Sequence, residues 1–218
     1  MQAKRKTKPY DYFDPVFDGS YEVPIDTEYN LPDYCADIQK VLKCRVVPEI
    51  SSCGISEDTL RCEGVCDIRV LYLDSKGDSL KCCEFTKEFS ASIKMKNPEG
   101  PAVAWVRAAV EHLTCRAVNA RRIDLHLAVS LKVLAVVQRQ EQITCGLEGD
   151  GIEKLGERRR ASQAVNAVSH QFSIEDRLPL KNGKPPMENI LRKEVACRAT
   201  DYKLAQGQLS VSGRADIS

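Results

Sequence analysis

The sequence predicts a mainly β fold: an antiparallel β-sandwich with one short helix, followed by a truncated second copy of the same module. Three observations carry that expectation. Apolar residues recur with period two along most of the chain. Clusters of Gly, Pro, Asn and Asp separate the alternating runs. The sequence after residue 170 also repeats the beginning of the chain at a constant offset.

The elements follow in order. Residues 1–20 read as a solvated tail, because Lys4, Arg5, Lys6 and Lys8 lead into the mixed run Tyr10 to Pro15 without an apolar segment. No secretory signal is therefore expected. No apolar run approaches the roughly 18 residues of a membrane span, so a cytosolic protein is expected. The first module is placed at residues 21–145. Within it, Ala36 to Leu42 reads as a short helix, with Asp33 and Asp37 placed to cap its start and favour its dipole.

From Leu60 to Tyr72 one face carries Leu60, Cys62, Gly64, Cys66, Ile68, Val70 and Tyr72, the alternation of a half-buried strand. Gly64 marks a bulge or a close backbone approach. Asp74-Ser75-Lys76-Gly77-Asp78 supplies turn chemistry, and Leu80 to Phe89 returns. Asn97 to Pro101 is a second break. Val103 to Val118 contains good helix formers. It leads through Asn119-Ala120 into the alternating run Ile123, Leu125, Leu127, Val129 and Leu131, so a strand of a long hairpin is expected. Residues 146–169 read as a connector, glycines among charged residues and then a polar, alanine-rich stretch from Arg158 to Ala167 that has room for a short helix.

The repeat is fixed by Gly64 and Gly213. At that offset Ile25 meets Ile174, Leu31 meets Leu180, Leu42 meets Leu191 and Val46 meets Val195. Leu60 meets Leu209, Asp67 meets Asp216 and Ile68 meets Ile217. The conservative pairs Val41/Ile190, Ile38/Met187 and Ile55/Leu204 keep the same phase, and a one-residue slip would turn each strand inside out. Residues 170–218 are thus expected to be a second copy that stops at the equivalent of Arg69, without counterparts of Val70 to Cys145. The chain reads as a fragment or the start of a tandem array.

Charge is balanced, 32 basic against 31 acidic residues, so no global field favours nucleic acid or anionic lipid. The basic runs Lys4 to Lys6 and Arg158 to Arg160 read as a solvated tail and turn. No nucleophile elbow, phosphate loop or dinucleotide fingerprint is present. His112, His126 and His170 fall on different elements, and His126 sits on the polar face of a strand.

Of ten cysteines, Cys62 and Cys66 share a strand face but stand roughly 13 Å apart along it, too far for one zinc ion. Cys82 and Cys83 point to opposite faces. A zinc site drawing on Cys35, Cys44 or Cys53 with distant partners is an alternative, as is thiol chemistry. Most of the cysteines read as buried, reduced apolar side chains. No catalytic, cofactor-binding or metal-ligating residue is assigned, and no cofactor or small-molecule substrate is expected.

The run from Pro32 to Leu42, PDYCADIQKVL, comes first. Leu60-Arg61-Cys62-Glu63-Gly64, Val70-Leu71-Tyr72, Phe85 to Phe89 and Val118 to Ile123 follow in that order. Together they resemble the SPOCS domain of SipL-type spore coat morphogenetic proteins of endospore-forming bacteria, over Tyr21 to about Cys145 and again over His170 to Ser218. The resemblance implies a non-catalytic protein of the mother-cell cytoplasm that gathers at the forespore surface. Its partners would be proteins of the spore coat, notably the coat ATPase. Family members typically carry tandem SPOCS copies followed by a LysM domain, which this sequence does not contain. A cysteine-dependent zinc or thiol protein is the rival expectation, and a cell-wall glycan-binding module a third, weakened by an aromatic content of 6%.

Overall fold

The structure, a computed structural model, describes residues 4–96, 98–149 and 193–218 together with isolated positions between 150 and 192. The described residues form strands and turns without a helix. The strands are β1 (Lys4–Asn30), β2 (Ile38–Ser56), β3 (Thr59–Asp74), β4 (Leu80–Lys94), β5 (Ala102–Asn119), β6 (Arg122–Glu148), β7 (Val195–Ala205) and β8 (Gln208–Ile217). All neighbours pair antiparallel, in the orders β1-β6-β5, β2-β3-β4 and β7-β8.

The two three-stranded sheets stack face to face, as the period-two pattern requires. β3 buries Leu60, Cys62, Cys66, Ile68, Val70 and Tyr72 on one face, and β6 buries every second residue from Ile123 to Val137. These rows meet in one apolar core that also takes Val23 and Ile25 of β1 and Phe89 and Ile93 of β4. The face read from Leu60 to Tyr72 is therefore the core face, and Val103 to Val118 lies within strand β5.

Gly64 is a close approach. A Cβ there would stand 2.5 Å from the Glu49 carbonyl oxygen and overlap the Phe89 ring. The bulge lies on the opposite strand, between Ile50 and Ser52. The turn after β3 forms where expected. The buried Asp74 carboxylate accepts from the backbone N–H of Gly77 at 3.0 Å, and Gly77 takes φ 77.

Three expectations need correction. Residues 4–20 belong to β1 and pair with β6 from Lys4↔Glu148 onward, so the segment is strand and not tail. Residues 146–148, assigned to the connector, are the end of β6. Ala36 to Leu42 is not helical: Asp33 to Cys35 make a turn, and β2 begins at Ile38. Pairing with β3 overrides the local helix propensity there. Most of the connector, including Arg158 and Arg159, lies outside the described residues, as do Leu180, Met187 and Asn97.

β1 and β6, 27 residues each, run past the sandwich. β5 first meets β6 at Ala102↔Val137, so from Gln138 to Glu148 β6 has only β1 beside it. This two-stranded arm is held by polar cross-strand pairs: Arg139 with Asp14 at 2.6 Å, Gln140 with Asp11 at 2.9 Å and Tyr12 with Glu141 at 2.9 Å. β1 carries Pro9, Pro15 and Pro24. Proline cannot donate to a further strand and suits an edge position.

The hairpin β7-β8 has the register of β2-β3. Val46 faces Ile68 and Val195 faces Ile217; Ile55 faces Leu60 and Leu204 faces Leu209. The bulge between Ile50 and Ser52 has its counterpart between Ala199 and Asp201. Glu57 and Gln206 open the two turns with φ 54 and 50. Gly64 stands opposite Ile50 against the Glu49 carbonyl, and Gly213 stands opposite Ala199, where a Cβ would likewise lie 3.0 Å from the Arg198 carbonyl oxygen.

Candidate interaction surfaces

The cysteines distribute by strand geometry. Cys62 and Cys66 both lie on the core face of β3. Cys83 is buried and Cys82 half-buried, as adjacent strand residues should be. Cys53 faces Cys62 across the β2-β3 ladder with the sulfurs 2.9 Å apart. Cys44 on β2 and Cys115 on β5 neighbour one another where the two sheets pack. Cys35, Cys44 and Cys53 are thus divided among different neighbours. Among the described residues no three His, Cys, Asp or Glu side chains are placed to share a metal ion.

Burial sets the acidity of these thiols. It pushes Cys62 up to about 12, with the Cys53 hydrogen bond adding to the effect, and Cys66 up to about 11. Cys83 is pushed up to about 12, again chiefly by burial. The neighbouring Cys115 thiol and burial push Cys44 up, while Cys44 lowers Cys115. A buried thiol held neutral is a poor nucleophile.

The histidines stay apart. His126 pairs with Asp26, its directly opposed residue, at 2.7 Å on the exposed face. His112 contacts Thr114 at 3.2 Å, and His170 stacks near Phe172. Asp33 and Asp37 do not cap a helix. Both face Arg121, Asp37 at 2.8 Å and Asp33 at 3.7 Å.

Arg121 builds the most sharply defined surface feature. It lies in the turn between β5 and β6, and its guanidinium donates to the carbonyls of Leu31 (3.1 Å), Pro32 (2.7 Å) and Cys35 (3.0 Å) as well as to Asp37. The planar fork of arginine suits several acceptors at once. Backbone bonds from Leu31 N–H to the Arg121 carbonyl and from Ile38 N–H to the Ala120 carbonyl, each 2.8 Å, close the loop at both ends. From inside the core, Tyr72 Oη donates to the Ala36 carbonyl at 3.1 Å.

The loop so held presents Tyr34 at 88% exposure. An aromatic ring on a loop whose backbone is already fixed loses little conformational freedom on docking, which suits a contact residue. The sequence offered a signal for it: Tyr34 follows Pro32-Asp33, a turn opener, and so falls at a loop apex.

A second surface is the β7-β8 hairpin. Val195, Tyr202, Leu204, Leu209, Val211 and Ile217 are all more than half exposed. Their counterparts in β2-β3 face the β1-β6-β5 sheet. The segment before β7 reaches back to the outer face of β2-β3-β4. There Glu194 pairs with Arg45 at 2.5 Å and Lys193 approaches Glu84 at 3.9 Å, bordering a groove of about 620 Å³.

Residues 37–118 match the family model described as SipL, SPOCS domain. The match begins at the Arg121-bound end of the Tyr34 loop, takes in β2 to β4 and ends within β5, so it is to this stretch that the similarity applies. No curated protein and no solved structure matches the chain.

Proposed function

We propose that this chain is a non-catalytic assembly protein of the bacterial spore envelope, acting by protein contacts in the manner of SipL-type coat morphogenetic proteins. The observation that carries the reading is the match of residues 37–118 to the SPOCS-domain family model. The ordered loop that presents Tyr34 supports it, because such a loop is suited to recognition. The shared register of β2-β3 and β7-β8 supports reading residues 170–218 as the beginning of a second SPOCS copy. Linked copies gain avidity when both engage one assembly.

On this reading the chain resides in the mother-cell cytoplasm and collects at the forespore surface, with the coat ATPase as the partner that the family resemblance implies. Among the described residues no helix is long and apolar enough to cross a membrane.

The test is recovery of partners from sporulating cells of an endospore former. A tagged chain should retain the coat ATPase after cross-linking, and a fluorescent fusion should ring the forespore. Tyr34→Ala should weaken retention about tenfold, the effect of one aromatic contact of moderate strength. A fusion spread evenly through the mother cell, with no coat protein cross-linked, overturns the assignment.

A further inference from the structure

Cys53 and Cys62 meet in an arrangement that nothing in the proposed assembly role uses. They are directly opposed residues of β2 and β3, nine positions apart and joined by the two-residue turn Glu57-Asp58. Their sulfurs stand 2.9 Å apart, about 1 Å longer than a disulfide bond. Directly opposed antiparallel residues have Cα atoms about 4.5–5.5 Å apart, inside the range that disulfides span. Two sulfurs already closer than van der Waals contact on paired strands can therefore join without moving the backbone far.

The two thiols also differ in access. Cys53 is exposed at the edge strand, while Cys62 is 1% exposed in the core. An oxidant from solvent reaches Cys53 first and finds Cys62 already beside it. The second hairpin provides an internal contrast, since the same ladder position is filled by Tyr202 and Val211.

We propose that Cys53 and Cys62 are a disulfide-forming modification site, oxidised by hydroperoxide-class oxidants. The Cys53 thiolate attacks one peroxide oxygen, the O–O bond breaks, and hydroxide leaves, giving a sulfenic acid on Cys53. The Cys62 sulfur then displaces the sulfenic oxygen, forming the S–S bond and releasing water. In all, two thiols and one hydrogen peroxide give one disulfide and two waters. The thiol pair loses two electrons and the peroxide gains them. The product ties edge strand β2 to central strand β3 beside the Ile50/Ser52 bulge, where the ladder is weakest.

Burial holds the Cys62 thiol neutral, so the second step is the slower one and a transient sulfenic acid on Cys53 is expected, trappable with dimedone. Cys145 and Cys197 are also exposed, but Cys145 contacts the Lys6 carbonyl and Cys197 lies opposite Ala215. They serve as controls within the same chain.

The experiment treats the full reduced chain with stoichiometric hydrogen peroxide, blocks remaining thiols, and maps peptides without reduction. Trypsin separates residues 46–61 from 62–69. The expected result is one linked species joining these peptides, with fragmentation placing the bond on Cys62 and dithiothreitol releasing it. Cys53→Ser, at an exposed position that leaves the core intact, should abolish the species. Recovery of residues 46–61 with Cys53 unlinked, or linked to Cys66 or any other sulfur, overturns the proposal. So does Cys62 consumed by the oxidant to the same extent in Cys53→Ser as in the unaltered chain.

Discussion

At the scale of single residues, Arg121 and Gly64 each hold a piece of backbone that its neighbours would not hold alone. Arg121 supplies N–H donors to three carbonyls and to Asp37, and the Asp37 hydrogen bond raises its already high pKa further. Arg121→Lys keeps the charge but replaces the fork with a compact ammonium. Amide hydrogen exchange at residues 33–37 should therefore speed up in Arg121→Lys as well as in Arg121→Ala, while the β3 amides keep their protection. Unchanged exchange in both variants would remove Arg121 from its positioning role. Gly64 is crowded from two sides. Gly64→Ala should lower stability by about 1–3 kcal/mol in urea denaturation, the usual cost of overpacking. Gly213→Ala, with its nearest obstacle at 3.0 Å and no aromatic ring over it, should cost clearly less. Equal costs would mean that the Phe89 ring contributes nothing.

At the scale of elements, the two hairpins make a register prediction. If β7-β8 holds the ladder that β2-β3 holds, Tyr202 and Val211 occupy the positions of Cys53 and Cys62. The double substitution Tyr202→Cys with Val211→Cys should then form a disulfide between the two introduced sulfurs under mild oxidation. A one-residue slip would put them on opposite faces and give no bond. The likeness of the two hairpins was visible in sequence because both keep the same apolar phase, from Leu60 to Ile68 and from Leu209 to Ile217. The core face of β3 and the strand character of β5 were legible for the same reason. Strand β2 was not, and its bulges explain why. Register shifts between Ile38 and Lys40 and between Val41 and Lys43 turn Ile38, Val41 and Cys44 inward at three-residue spacing. That spacing imitates the apolar stripe of a helix. β1 was hidden differently: its first ten residues, Lys4 to Phe13, pair in the two-stranded arm mostly through polar and charged side chains, so no apolar alternation marks them. The Tyr34 loop escaped notice because Arg121, which orders it, lies 84 positions from Asp37 in the chain. The Cys53/Cys62 pair could have been found by folding the sequence about Glu57-Asp58.

At the scale of the whole molecule, the sandwich stores several thiols in its core, and this fixes how stability responds to alkali. An ordinary thiol ionises near about pH 8.5. Cys62, Cys66 and Cys83 are at most 4% exposed, and burial pushes them up to about 12, 11 and 12 respectively. The folded state therefore keeps three protons that the unfolded chain surrenders between about pH 8.5 and pH 11. Where the native state binds more protons, stability falls as pH rises. Below the unfolded thiol range both states are protonated and these groups add no slope. Above it each buried thiol contributes about 1.4 kcal/mol per pH unit, until the pH passes its folded value. Urea midpoints measured with reductant present should thus be level from about pH 7 to pH 8 and fall steeply from about pH 9. Replacing Cys66 with Ala, which leaves the other raised thiols in place, should make the fall measurably shallower. A fall of unchanged steepness in Cys66→Ala would assign the alkaline loss to other groups, such as the core tyrosine Tyr72, which burial also holds up to about 12.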